Sequence, residues 1–268
     1  MKLAISGKGG VGKTTLASLL ARIYAAEGNS VLAIDANPDA NLAPALGIPA
    51  QQAAGITPIA ELEDLIEERT GAKPGSVGAY FKLNPRVDDI PDRFSATRDN
   101  IKLLVLGTVK KGGGGCICPE SALLKSLMTH LLLRRSEVVI LDMDAGVEHV
   151  GRGTAQSVDA FIVVVEPGQR SIQTAQAIRG LARDLGIASC YVVGSKTKSE
   201  AERQFIIHNM PDFEILGFIN YDPKIMEADL KGEAVFDLAP EAVKGATEVK
   251  ERLEQVCRSR RRSGQKDT

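Results

Sequence analysis

The fold this sequence predicts is α/β, a doubly wound and mostly parallel sheet. Short runs rich in Val, Ile and Leu hardly alternate in polarity, which is how strands buried on both faces read. Helical patterns separate these runs, and strand–helix–strand in repetition implies parallel crossovers. The first run also passes directly into a glycine-rich turn, and in open sheets of this kind ligands gather at the carboxyl ends of strands.

Taken in order, the expected strands are LAIS (3–6), SVLAID (30–35), IKLLVLG (101–107), EVVILDMD (137–144), AFIVVVE (160–166), ASCYVVG (188–194) and EILGFI (214–219). The expected helices are Lys13 to Glu27, Ile59 to Thr70, Glu120 to Arg135, Ile172 to Leu185, Glu200 to Asn209 and Glu241 to Cys257. Residues 71–99 carry Pro74, Pro85, Pro91 and several glycines and read as an irregular excursion. Residues 1–257 are expected to form a single P-loop domain, and 258–268 a basic flexible tail.

Composition narrows the function. With 33 Lys+Arg against 34 Asp+Glu, the chain has no global charge that would favour nucleic acid or anionic membrane. No apolar run approaches the roughly 20 residues of a membrane span, and the opening residues lack a signal-peptide pattern. The expectation is a cytoplasmic protein with neither nucleic acid nor membrane as partner. Four cysteines in 268 residues do not make a disulfide framework.

The segment GKGGVGKTT, Gly7 to Thr15, satisfies G-x-x-x-x-G-K-[ST] between a strand and a helix. Glycines let backbone N–H groups turn around a phosphate, and the following helix adds its positive end. The expected cradle is Gly9, Gly10, Val11, Gly12, Lys13, Thr14 and Thr15. Lys13 would meet the β- and γ-phosphates of ATP or ADP, and the Thr14 hydroxyl would ligate Mg²⁺. Lys8 lies inside a loop too tight to fold it back onto its own nucleotide. It reads either as a solvent-facing loop residue or as a cation aimed at phosphate from outside the cradle, for which a partner subunit's nucleotide is the more natural target; that is the role of an arginine finger, worth about 10³–10⁵ in rate.

Acidic groups end the second and fourth long strands. Asp35 closes VLAID and reads either as an ordering acid of the site or as an Asx turn or helix cap. Asp39, on the loop that follows, is placed to orient attacking water. VVILDMDAG has the Walker B form, with Asp142 expected at Mg²⁺, Asp144 either in the metal's outer shell or solvated, and Gly146 free to move. His149 follows as a switch residue or a surface histidine.

The stretch GGGGCICP places Cys116 and Cys118 just before a helix. Thiolates suit thiophilic metals, and a helix N-terminus favours the thiolate form. Two ligands are too few for a closed site, but a symmetric dimer would supply four. The pair reads as inert, as a redox dithiol, as half of an Fe–S site or as half of a single-metal site. Gly112 to Gly115 read as a hinge for it, while Cys190 and Cys257 read as structural.

KGGVGKTT resembles the deviant Walker A motif of dimeric ATPases that include MinD, ParA, the iron–sulfur scaffold ATPases and the nitrogenase iron protein. That likeness implies a homodimer in which Lys8 reaches across the interface, with Lys8, Lys13 and Asp39 catalytic and Asp35 ordering the site. It also implies base recognition beside Pro167 of EPGQRS and at Ser195 of VGSKT, where relatives usually carry Asn; Asn220 stands where proline is common. KKGGGGCICPES, DMDAGVEHVGRGTAQSVD and IVVVEPGQRSIQTAQAI together resemble, over residues 2 to 255, the CooC-type accessory ATPases of carbon monoxide dehydrogenase and the related acetyl-CoA synthase maturation factor. This closer resemblance implies that the Cys116–Cys118 pair binds Ni²⁺ or Zn²⁺ across the dimer. The function it implies is ATP-driven nickel insertion into one of those client enzymes. An electron-transfer ATPase with an Fe–S cluster and a spatial organiser of the ParA/MinD type are the alternatives.

Overall fold

The computed structural model describes residues 1–76, 80–108, 118–147, 154 and 157–264, with only the helical backbone described over 261–264. Eight strands form one sheet: β1 (Lys2–Gly7), β2 (Val31–Asp35), β3 (Ala96–Arg98), β4 (Ile101–Val105), β5 (Val138–Asp142), β6 (Ala160–Val165), β7 (Cys190–Thr197) and β8 (Glu214–Asn220). Their order is β3-β4-β2-β5-β1-β6-β7-β8, and every pairing is parallel except β3 with β4. The seven expected strands are all present.

The lack of polarity alternation has its reason in the two cores. Leu3, Ile5, Val31 and Ala33 point to one face of the sheet; Ala4, Leu32 and Ile34, between them in sequence, point to the other. On the first face lie α1 (Lys13–Ala26), α2 (Leu42–Leu46), α10 (Val235–Leu238) and α11 (Pro240–Gly264). On the second lie α4 (Glu63–Thr70), α6 (Pro119–Arg134), α7 (Gln169–Asp184) and α8 (Glu200–Asn209). The short α3 (Ala50–Ala53) and α5 (Ile90–Phe94) and the longer α9 (Pro223–Lys231) complete the set.

Several boundaries differ from expectation. The helix expected over 59–70 breaks at Leu62 (φ −83°, ψ 78°) into a 3₁₀ turn, Ile59–Glu61, and α4. The excursion 71–99 contains α5 and the edge strand β3, whose residues ATR, exposed at Thr97 and half-buried on either side of it, carry no apolar run. Helix α9 was not expected. It starts on a Pro at N1 with the Asp222 carboxylate accepting from Lys224 N–H at 2.9 Å, and it ends at Gly232 (φ 65°). The last helix continues to Gly264, so residues 258–260, expected in the flexible tail, are helical, and Arg260 donates to Ala188 O at 3.0 Å. No described helix is long and apolar enough to cross a membrane.

Candidate nucleotide site

The phosphate loop joins β1 to α1, as the motif requires. Two glycines have structural reasons. A Cβ at Gly7 would stand 2.5 Å from Val164 O of β6, so only glycine lets these strands approach. Gly12 is the N-cap of α1 in the left-handed region (φ 99°), and a Cβ there would lie 3.0 Å from Ser195 Oγ. Lys13 is buried, and its Nζ donates to Lys8 O at 3.4 Å.

The register of β2 against β5 sets Asp35 beside Asp142, both at strand ends and both fully buried. Their carboxylates are used differently. Asp35 accepts from Asn37 N–H at 3.1 Å and from Leu42 N–H at 2.9 Å, so it closes an Asx turn and anchors the start of α2. Burial raises its pKa against the lowering effect of these donors. Asp142 accepts from the Thr14 hydroxyl at 2.6 Å through Oδ2, while Oδ1 is buried without a partner. Burial pushes the Asp142 carboxyl up to about 7, opposed by the Thr14 bond and reinforced by the charge of Asp35. An orphaned carboxylate oxygen beside a threonine hydroxyl is a donor set that fits a hard divalent cation such as Mg²⁺.

Ser6, the polar end of the apolar LAIS run, holds the Walker B loop. Its Oγ lies 2.8 Å from Asp144 O and 2.9 Å from Gly146 O and accepts from Gly146 N–H at 3.1 Å. A serine at the end of a buried strand, just before the phosphate loop, is the signal that would have marked it. The exposed Asp144 carboxylate accepts from Ala145 N–H at 2.7 Å. His149 lies outside the described residues.

Lys8 is directed away from its own loop: its Nζ meets Glu166 Oε1 at 3.2 Å, with the Lys8 side chain 38% exposed. Lys196 approaches Glu166 Oε2 at 3.9 Å and donates to Gly10 O at 2.5 Å. Asp39 is exposed at the cavity edge, its backbone carbonyl accepting from Asn41 at 3.1 Å.

A cavity of about 710 Å³ opens beside the loop, within the usual size of ligand pockets. Gly9, Gly10, Gly12, Lys13, Thr14 and Thr15 line one side, and Asp39, Asp144 and Ser195 border it. Asn220, Tyr221, Ile225 and Met226 form the opposite wall, from the end of β8 and from α9. Val11 is buried in the core behind the loop. Asp35 and Asp142 sit beneath the floor and Pro167 lies outside the lining, next to the Lys8–Glu166 pair. Ser195 is buried against Gly12.

Cys118 is the N-cap of α6, with Pro119 at N1, and its Sγ lies 3.1 Å from Ser121 Oγ. Cys116 and Gly112 to Gly115 lie outside the described residues. No group of three or more His, Cys, Asp and Glu able to hold a metal occurs among the described residues. Cys257 is buried in α11, and burial pushes the Cys190 thiol up to about 11, in keeping with structural cysteines.

Fold and phosphate loop together define a P-loop ATPase. The model of the CobQ/CobB/MinD/ParA nucleotide-binding domain matches residues 2–235. The chain is 49% identical over 240 residues to the carbon monoxide dehydrogenase accessory protein CooC of Rhodospirillum rubrum, covering 90% of this chain and 91% of that protein. It is 45% identical to an uncharacterized ATP-binding protein of Methanocaldococcus jannaschii over 88% of this chain and 91% of the other. Among solved structures, MinD of Aquifex aeolicus shares the fold at a TM-score of 0.66 and 22% identity, covering 95% of this chain and 98% of that one. The chain belongs to the CobQ/CobB/MinD/ParA nucleotide-binding family, and the 49% match places it with the CooC type.

Proposed function

We propose that this ATPase works as a homodimer that carries nickel to carbon monoxide dehydrogenase or acetyl-CoA synthase, using ATP turnover to control metal release. The observation that carries this reading is Cys118 at the first turn of α6, in a C-x-C pair on a chain 49% identical to a carbon monoxide dehydrogenase accessory protein. Nickel, or zinc in its place, is cargo. Cys116 and Cys118 of each protomer supply two thiolates, and two protomers complete a four-ligand set.

The chain's own residues divide the hydrolysis among them. The loop N–H groups and Lys13 bind the phosphates, and Thr14 and Asp142 would hold Mg²⁺, which neutralises charge on the phosphate oxygens. Asp39, on the cavity edge, orients the attacking water. The half-buried Lys8 holds its amine on Glu166 at 3.2 Å, and release from that pair would free it to serve the partner's nucleotide. Ser6 ties the loop holding Gly146 to β1, so a change at the γ-phosphate is felt at the strand end. Coupling requires different metal affinities in the two nucleotide states.

Metal analysis tests the reading. Wild type and Cys116→Ala/Cys118→Ala are loaded with Ni²⁺ or Zn²⁺, with and without ATP, and metal per protomer is measured alongside mass in solution. The expected result is one metal per dimer in wild type, altered by ATP and absent in the double variant. Unchanged metal content in that variant would sink metal delivery, and bound iron with sulfide would favour the cluster-carrying alternative.

A further inference from the structure

The carboxyl edge of the sheet carries a row of three charges beside the phosphate loop. Lys8 follows β1, Glu166 follows β6 and Lys196 lies in β7. The register puts the acid in the middle, since β6 pairs with β1 at Gly7–Val164 and with β7 at Val165–Gly194. Glu166 Oε1 takes Lys8 Nζ at 3.2 Å, and Oε2 faces Lys196 Nζ at 3.9 Å. The backbone under the acid is fixed: Glu166 N–H donates to Oγ of the buried Ser171, in the first turn of α7, at 3.1 Å. Lys8 is divided between two elements. Its carbonyl accepts from Val11 N–H and from Lys13 Nζ, each at 3.4 Å, so its backbone belongs to the phosphate loop while its amine belongs to the end of β6.

The pair is built to open. Neither Lys8 nor Glu166 is among the residues that line the cavity, so the contact stands apart from the chain's own nucleotide. Water reaches both side chains, 38% exposed for Lys8 and 26% for Glu166. When Lys8 leaves, Lys196 remains beside Glu166, so the carboxylate is not stranded without a cation. A partly exposed pair of this kind restrains its members by a factor of about two to five. Phosphate oxygens of a nucleotide carry more charge than one carboxylate and outbid it for a lysine amine once they are in reach.

We infer that Glu166 is a positioning residue that holds Lys8 back in the resting protomer and yields it when a partner's nucleotide arrives. The inference rests on the proposed homodimer in which Lys8 serves the other subunit. The contact opposes assembly and leaves the chemical step alone. Each protomer must release its own Lys8 before a symmetric dimer closes, so the restraint enters the dimer's dissociation constant twice, a factor of about 4 to 25 in all. At low protein concentration the acid therefore keeps protomers apart and ATP unspent.

ATP hydrolysis per protomer, measured on the full chain against protein concentration at saturating ATP and Mg²⁺, tests this. In wild type it is expected to rise to a plateau as dimers form. Glu166→Gln keeps the shape and removes the charge, so the half-maximal concentration is expected to fall about 4- to 25-fold with the plateau unchanged. An unchanged or raised half-maximal concentration overturns the inference, and so does a lowered plateau, which would put Glu166 in the chemistry. In a Lys8→Ala background the same substitution is expected to shift nothing; a shift that persists there means that the acid acts on some other group, and overturns the inference too. Should Glu166→Gln fail to fold in a thermal melt, Glu166→Asp decides in its place. It draws the carboxylate back by one methylene, the half-maximal concentration is expected to fall about two- to fourfold, and no fall overturns the inference. Wild-type activity independent of concentration, with normal turnover in Lys8→Ala, would fail the homodimer reading and this inference with it. A concentration-dependent wild type with Glu166→Gln unshifted would fail this inference alone.

Discussion

The two walls of the cavity are built on opposite principles. The phosphate wall is made of backbone and buried charge: Gly7 against Val164, Lys13 over Lys8 O, Thr14 on Asp142, all fixed by in-register strands. The opposite wall is made of side chains at the surface, from the end of β8 and from α9, with Tyr221 and Met226 about half exposed. What differs is the tolerance for change. A phosphate is the same in every nucleotide, so its wall can be rigid and its sequence pattern short. The other wall is assembled from more exposed residues with freedom to differ, which suits the part of a nucleotide that varies.

If the first wall does the chemistry, its loss should be nearly total. Lys13→Ala is expected to lower kcat/KM for ATP by about 10²–10³. The fold should survive, since among the described residues the hydrogen bond of Lys13 Nζ is a long one, to Lys8 O at 3.4 Å. Steady-state hydrolysis with a thermal melt alongside checks both halves, and a variant with near-normal turnover would break the assignment.

Asp142 sharpens the comparison through pH. Its carboxyl stands near 7 in the fold because burial and the charge of Asp35 disfavour ionisation, against the Thr14 and Asn37 bonds and the charge of Lys13. The folded state therefore holds this proton more tightly than the unfolded chain. The stability it contributes is complete below the ordinary Asp value and is lost as pH rises through about 7. Without nucleotide or Mg²⁺, Asp142→Asn should be more stable than wild type, by a few kcal/mol at about pH 8 and by much less at about pH 5. Melts across pH measure this. Mg²⁺-dependent turnover should be lost in the same variant. An advantage larger at pH 5 than at pH 8 would reverse the sign and refute the buried-acid account.

Legibility in the sequence follows the same division. The seven long strands were readable because burial on both faces demands continuous apolar runs, and the loop was readable because phosphate binding needs glycine at set spacings. Asp35 was readable as an acid at a strand end, but not which of its two roles it took; that depended on Leu42 and Asn37 folding back onto it. Strand β3 was not readable, since an edge strand of three residues, exposed at the middle one and half-buried on either side, needs no apolar pattern. Helix α9 was missed although Asp222 and Pro223 mark its start, because Met226 and Leu230 are exposed apolar residues that blur the apolar face. Pro167, expected beside the base by likeness, follows Glu166 of the Lys8–Glu166 pair and is not among the residues that line the cavity.

Gly12 is where the phosphate loop meets the end of β7, and it should give an intermediate effect. Gly12→Ala places a side chain at φ 99° and 3.0 Å from Ser195 Oγ. The strain is expected to cost about 1–3 kcal/mol, read as a lowered melting temperature. Ser195→Ala in the same chain would relieve the contact but not the backbone strain. Full recovery in the double variant would show that crowding, not φ, makes glycine necessary here.

The smallest effect belongs to Thr197, beneath the other wall. Thr197 is buried at the end of β7, and its hydroxyl is one of the two donors to Asn220 Oδ1. Thr197→Val keeps the branched shape that suits a strand and removes only that bond. Arg203 still holds the amide at 2.8 Å, so the stability loss should stay near 1 kcal/mol or below. Maximal turnover should be unchanged, because nothing on the phosphate side touches this hydroxyl. What should move is affinity, by about twofold, as the amide gains freedom and its oxygen one open lone pair. A fall in kcat with affinity unchanged would mean that the two walls are mechanically linked through β7, and their separation into a chemical side and a reading side would have to be abandoned.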